Sequence, residues 1–336
     1  MGYSLSNVID GKHLVLDAEE GTDSTLEFAE AVASGLEGDT KTIPCRYLYD
    51  ARGSALFEEI CKQPEYYPTR TEAKILRDRA SEIAALTGPL RIAELGSGTS
   101  VKTRHILEAY LEHAEAPHYI PVDVSAAAMR EATRTIQNEL PDVTVSGIIG
   151  RYENAFSLFP ELSPLMVIFL GSTIGNFGEA DMHPFLKRLA DHLRGKDFFL
   201  LGADLEKDRE ILEAAYNDAS GVTAAFTLNL FERMNCELDA GIDLDTVEHV
   251  AHYNQDKSRI EIHARFQEEQ EIYLAPLDEI VKIEAGEKVR TEISRKFRVD
   301  ELKELLERCG FRLRRVFTDE REWFALFLVE REKRDG

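Results

Sequence analysis

Residues 91–99 read Arg-Ile-Ala-Glu-Leu-Gly-Ser-Gly-Thr. A short, mostly apolar run enters a Gly-x-Gly turn, and a helical pattern follows at 101–111. Glycines let a backbone pass close to a ligand, and the start of the next helix offers unpaired N–H groups. The dinucleotide fingerprint needs a third glycine, which Ser100, Val101 and Lys102 do not supply. Beyond this turn the chain alternates. Residues 118–123 (HYIPVD) form a strand, 126–140 a helix and 143–149 a third strand. The unbroken apolar run 165–170 (LMVIFL) reads as a buried fourth strand. Residues 183–193 form an amphipathic helix with Phe185, Leu186, Leu189 and Leu193 on one side, and 197–201 a fifth strand. Such alternation predicts an α/β fold, a doubly wound sheet.

Outside this core the pattern changes. Upstream, 1–22 read as a polar lead-in, 24–35 as a helix, 45–67 as an irregular aromatic-rich stretch and 71–86 as a helix. Downstream, 206–234 are helical in pattern. Residues 258–266 then alternate, with Ile260, Ile262, Ala264 and Phe266 on one face, and 271–274 and 289–297 look similar. Residues 299–309 form an amphipathic helix ending at Gly310, and two strands close the chain at 311–318 and 322–330. With 336 residues and ~150 per domain, two domains are expected. The pattern splits one by the other: 72–205 with 298–336 as the sheet domain, and 1–71 with 206–297 as a smaller α+β domain.

The net charge is −22, from 40 basic and 62 acidic residues. Binding to nucleic acid or an anionic membrane surface is driven by Lys and Arg, so neither partner is expected. No apolar run approaches the ~20 residues of a membrane span. The N-terminal stretch lacks a basic start followed by an apolar core, so no secretory leader is expected. Cys45, Cys61, Cys236 and Cys309 are scattered, as in a cytoplasmic protein with reduced thiols. The nine His residues show no metal-ligand spacing; His249 and His252, three apart on a strand, face opposite ways. No metal is expected.

Several residues could carry chemistry. Asp123, at the end of the second strand, stands where an acid accepts hydrogen bonds from both hydroxyls of a ribose; the plainer reading is a solvated strand end. Gly171-Ser172-Thr173-Ile174-Gly175-Asn176 follows the buried strand, where ligands sit in this fold, and Asn176 offers both a donor and an acceptor. An Asn in a glycine-rich turn is also common for local reasons. Glu292 and Ser294 are two apart on a strand and share a face. They could meet the two nitrogens of an imidazole, or be the wet side of the strand. Tyr49, Phe57, Tyr66 and Tyr67 could only cap the core, or the tyrosine hydroxyls among them could grip a carboxylate or amine.

The Gly-x-Gly turn, Asp123 and the closing strand pair together resemble class I S-adenosylmethionine-dependent methyltransferases. Eight collinear stretches sharpen this: YLYDARGSALFEEI, PEYYPTRTE, AELGSG, PVDVS, FLGSTIGNF, LLGADLEKD, the DLDTVEHVAHYN region and VRTEISRKF. From Tyr47 to Phe327 the chain resembles the histidine-specific Nα-methyltransferases of ergothioneine biosynthesis, which trimethylate L-histidine to hercynine.

The resemblance implies S-adenosylmethionine as methyl donor, leaving as S-adenosylhomocysteine, and L-histidine as small-molecule substrate; a monomer is expected. It implies donor binding by Gly96, Lys102 and Asp123, with Tyr152 at the adenine. Tyr49 and Asn176 would be the catalytic pair at the reacting amine. Tyr66, Asn176 and Tyr216 would hold the substrate carboxylate; Phe57, Gly171 and Thr223 would line the pocket; Glu292 and Ser294 would read the imidazole. Two positions depart from the family pattern. Arg151 stands where an Asp usually meets the adenine amino group, and Ile262 replaces a Met beside the imidazole. The second departure keeps another amino acid, such as tryptophan, open as an alternative substrate.

Overall fold

The computed structural model describes residues 24–98, 100–113 and 117–332, and the backbone of 8–9 and 13–17. The strands in chain order begin with β1 (Val8–Ile9), β2 (His13–Asp17), β3 (Arg91–Leu95), β4 (His118–Asp123), β5 (Thr144–Ile149), β6 (Leu165–Phe169) and β7 (Phe198–Asp204). They continue with β8 (Val247–Asn254), β9 (Arg259–Phe266), β10 (Gln270–Leu274), β11 (Glu279–Ile283) and β12 (Lys288–Arg295). β13 (Phe311–Thr318) and β14 (Phe324–Arg331) close the chain.

The chain divides into two compact units. The first comprises 1–20, 68–206 and 296–336. Its nine-stranded sheet runs β1-β2-β5-β4-β3-β6-β7-β14-β13. From β2 to β7 the neighbours are parallel; β14 pairs antiparallel with β7, and β13 antiparallel with β14. This is the doubly wound sheet that the alternation of strands and helices predicts. All five residues of β6 are buried, as its apolar run requires. Side chains alternate between two cores. Ala93, Leu95, Phe199 and Leu201 pack with the helix Glu179–His192 on one face, and Ile92, Leu200 and Ile83 of the helix Tyr67–Thr87 lie in the core of the other. The chain order reverses between β3 and β6, so the ends of β3, β4 and β6 border the topological switch point.

The second unit comprises 21–67 and 207–295. It holds helices Ser24–Leu36, Ala51–Lys62 and Val222–Leu238, the antiparallel sheet β12-β9-β8 and the pair β10-β11. Ile260, Ile262, Ala264 and Phe266 of β9 are all buried, the face expected from alternation.

Two expectations are corrected. Within 1–22, β1 and β2 join the large sheet through parallel pairing of β2 with β5. This segment therefore belongs to the sheet unit, whereas 1–71 were expected in the other; the remaining residues of 1–22 lie outside the described ones. The stretch 45–67, expected to be irregular, contains a full helix, Ala51–Lys62, capped by Asp50 accepting from the Gly53 N–H. And β11 carried no expectation at all.

Candidate active site

In the first unit, β3 delivers the chain to Gly96, whose N–H donates to the Val122 carbonyl at 2.8 Å. Gly96 has φ +71° and Gly98 +49°, so both positions favour glycine. A Cβ on Gly96 would also lie 3.0 Å from the Tyr152 hydroxyl. Asp123 ends β4 and folds back over this turn, Oδ2 accepting from the Gly98 N–H at 3.0 Å and Oδ1 from the Ser125 N–H at 2.9 Å. Burial raises its pKa, against the pull of those N–H groups. The carboxylate still has lone pairs to offer. Tyr152 packs edge-on against Phe169 at 5.3 Å, while Arg151 beside it is exposed.

Glu94, beneath the turn, was not singled out in the sequence. It is buried, accepting from Thr103 Oγ1 at 2.6 Å and from the Tyr119 hydroxyl. Burial pushes its pKa up to about 7, the two hydroxyls and Lys102 opposing. An acid inside the apolar run RIAEL was the available signal, since a buried carboxylate needs partners. At the end of β6, Gly171 and Ser172 are both left-handed, with φ +74° and +56°. The Ser172 hydroxyl accepts the Asp204 N–H at 2.9 Å, which helps hold this strained turn. Asn176 ends the short 3-10 turn Thr173–Asn176, half-buried.

In the second unit the expected residues are joined by side chains. Tyr49 lies 5.6 Å from Phe57 and 5.4 Å from Phe226, ring to ring; Phe57 lies 6.2 Å from Tyr66, and Tyr66 5.9 Å from Tyr216. Phe226, missed in the sequence, is one helical turn beyond the buried Thr223. The Tyr216 and Ser294 hydroxyls share a buried hydrogen bond of 2.8 Å. His249 supports Tyr216 from behind: Nε2 donates to the Tyr216 carbonyl at 3.0 Å, and Nδ1 pairs with the Thr227 hydroxyl at 2.9 Å. Burial raises the Tyr66 pKa well above the usual phenol range, helped by Tyr216 nearby.

A β-bulge decides where Glu292 points. Before it, Val289 pairs with Ala264 and Arg290 with His263; after it, Glu292 pairs with Ile262 and Ser294 with Ile260. Thr291 is the extra residue. Strict alternation from Val289 would leave Glu292 on the polar face with Arg290; the added residue turns Glu292 and Ser294 to the side of Ile260 and Ile262. Ile262 is thus the direct cross-strand neighbour of Glu292.

The structure accordingly brings Gly96, Lys102, Asp123, Tyr152, Gly171 and Asn176 to the strand ends of the first unit. It gathers Tyr49, Phe57, Tyr66, Tyr216, Thr223, Ile262, Glu292 and Ser294 in the second. Comparison with known proteins adds one decisive finding. A family profile described as histidine-specific methyltransferase, SAM-dependent, matches residues 28–331. The chain belongs to that family. It is similar to the histidine N-alpha-methyltransferase of Mycolicibacterium smegmatis, 44% identical over 89% of this chain and 94% of that one. The Mycobacterium tuberculosis protein of the same name is 40% identical over 89% and 93%. Ergothioneine biosynthesis protein 1 of Neurospora crassa is 30% identical over 69% of this chain and 26% of that one.

The first unit of this histidine-specific methyltransferase family member suits the family's donor. Among the described residues the Ser97 hydroxyl in the glycine turn is buried without a hydrogen-bond partner. Among them, too, nothing beyond the chain neighbours lies within 4 Å of a would-be Cβ on Gly98. A polar ligand seated on the turn fits both features. Among the described residues, no group of three or more His, Cys, Asp or Glu could hold a metal, and no helix is long and apolar enough to cross a membrane.

Proposed function

We propose that this chain transfers methyl groups from S-adenosylmethionine to the α-amino nitrogen of L-histidine, three times, giving hercynine for ergothioneine biosynthesis. Family membership and the names of the relatives support the reaction class. The observation that carries the substrate is the bulge at Thr291, which sets Glu292 and Ser294 on one face beside Ile262. A carboxylate and a hydroxyl so placed suit the two nitrogens of an imidazole, one accepting an N–H and the other meeting the second nitrogen. A ring without those nitrogens would strand both groups.

When bound, S-adenosylmethionine supplies a methyl group already activated on a sulfonium. The protein's work is proximity and orientation. Asp123 accepts the ribose hydroxyls, Lys102 meets the donor's carboxylate, Gly96 lets the backbone approach, and Tyr152 packs on the adenine. Tyr66 and Tyr216 donate to the substrate carboxylate; the raised pKa of Tyr66 keeps it a neutral donor. Tyr49 orients the amine lone pair, and Asn176 offers the substrate a donor and an acceptor. Phe57, Thr223 and Ile262 shape the pocket within the second unit. The amine sheds its proton before each attack, to water or to the site. After the third transfer the nitrogen is quaternary and the reaction stops. We place the enzyme in the cytoplasm as a monomer acting on a free amino acid, in keeping with its strong negative charge.

The test is incubation of purified protein with S-adenosylmethionine and histidine, tryptophan or tyrosine, followed by mass spectrometry. Three successive methyl additions to histidine are expected. Absence of methylated histidine sinks the proposal, and methylated tryptophan alone would move the substrate assignment.

A further inference from the structure

The stretch PEYYPTRTE ends on Glu72, a residue to which the proposed reaction assigns no role. Glu72 lies on the helix Tyr67–Thr87 with none of its side chain exposed. A buried carboxylate is costly unless paired and hydrogen-bonded. Here the Gly171 N–H donates to both its oxygens at 2.9 Å, and the Lys102 ammonium bonds Oε2. Room for it is made by Gly202 in the middle of β7, where a Cβ would lie 2.1 Å from Glu72 Oε1. Gly202 is not among the left-handed glycines, so its lack of a side chain serves space, not backbone conformation. One carboxylate therefore ties the left-handed turn at Gly171 to Lys102, two expected site residues from separate motifs. Of the ion pair, only Lys102 keeps an open side, with 22% of its side chain exposed.

We propose that Glu72 is a positioning residue for the methyl donor: it aims the Lys102 ammonium at the donor's carboxylate and holds the Gly171 turn in register with it. This deepens the proposed function and rests on Lys102 as a donor-binding residue. Glu72→Gln keeps the shape and an acceptor for the Gly171 N–H but removes the charge that holds Lys102. Gly202→Ala keeps the charge but pushes the carboxylate from its seat. Each is expected to weaken S-adenosylhomocysteine binding, by calorimetry, about tenfold or more. Each should raise the KM for S-adenosylmethionine in parallel, and by a larger factor than the KM for histidine. A purely structural role would lower the melting temperature and move both KM values together. Lys102→Met should show the same loss, and Glu72→Gln with Lys102→Met should be no weaker than Lys102→Met alone, the sign of one coupled unit. Wild-type affinity in both Glu72→Gln and Gly202→Ala, or multiplying losses in the double variant, overturns the proposal. Wild-type affinity in Lys102→Met overturns instead the donor-binding reading beneath it.

Discussion

At the ends of β3, β4 and β6 the expected site residues stand on turns shaped by left-handed residues at 96, 98, 171 and 172 and pinned by the carboxylates of Asp123 and Glu72. In the second unit they are side chains: a chain of rings from Tyr49 to Tyr216, ending in the Tyr216–Ser294 hydrogen bond, with Glu292 turned inward by the bulge. Turns whose backbone shape is fixed by glycines and local hydrogen bonds suit a ligand common to a whole enzyme class. Rings, a carboxylate and a hydroxyl suit one amino acid, and a single substitution alters them. Donor binding is thus expected to tolerate little change in conformation, and substrate choice to respond to few side chains.

The largest effect that separates the two regions is expected at Asp123. Asp123→Ala removes charge-assisted hydrogen bonds to the ribose and frees the Gly98 N–H, so S-adenosylhomocysteine affinity should fall about 100-fold or more by calorimetry. Histidine preference over tryptophan should not change, and a shift in that preference would break the division of labour.

Next comes the pH dependence of the donor unit. The folded state keeps Glu94 protonated up to about 7, above its ordinary 4.5. Between those values the unfolded chain has released a proton that the folded chain retains, so this contribution is full below about 4.5 and lost as pH rises through 7. It amounts to about 3 kcal/mol across the window. Glu94→Gln should flatten stability against pH in that range, measured by denaturant unfolding at several pH values; an unchanged slope would show that Glu94 titrates normally.

A smaller effect is expected on the acceptor side. Glu292→Gln should raise the KM for histidine about tenfold to 100-fold, the worth of one charged hydrogen bond, with donor affinity unaltered. Equal losses for donor and histidine would mean that the residue serves the fold and not the ring.

The sheet was legible because strands buried on both faces leave continuous apolar runs, as in LMVIFL, and because a Gly-x-Gly turn after such a strand has a backbone reason. β1 and β2 were not, since backbone pairing of short strands leaves little side-chain pattern. The helix Ala51–Lys62 was hidden by its aromatic neighbours, although Asp50 before it is a capping signal. Period-two reasoning put Glu292 and Ser294 on one face but could not say which, because a bulge inserts a residue without announcing itself in composition. The aromatic and imidazole-reading residues were assigned roles only through resemblance; the residues themselves allowed a wet strand face. Glu72 and Glu94 escaped notice because their partners, Gly171, Lys102, Thr103 and Tyr119, meet them only in the folded chain.

The most direct measurement is a crystal structure with histidine and S-adenosylhomocysteine bound. The expected result has one imidazole N–H on Glu292, the other ring nitrogen at Ser294, and the ribose hydroxyls on Asp123. An imidazole seated away from Glu292 and Ser294, or a ribose that does not touch Asp123, would contradict the division between a donor site on the strand-end turns and an acceptor site among the rings.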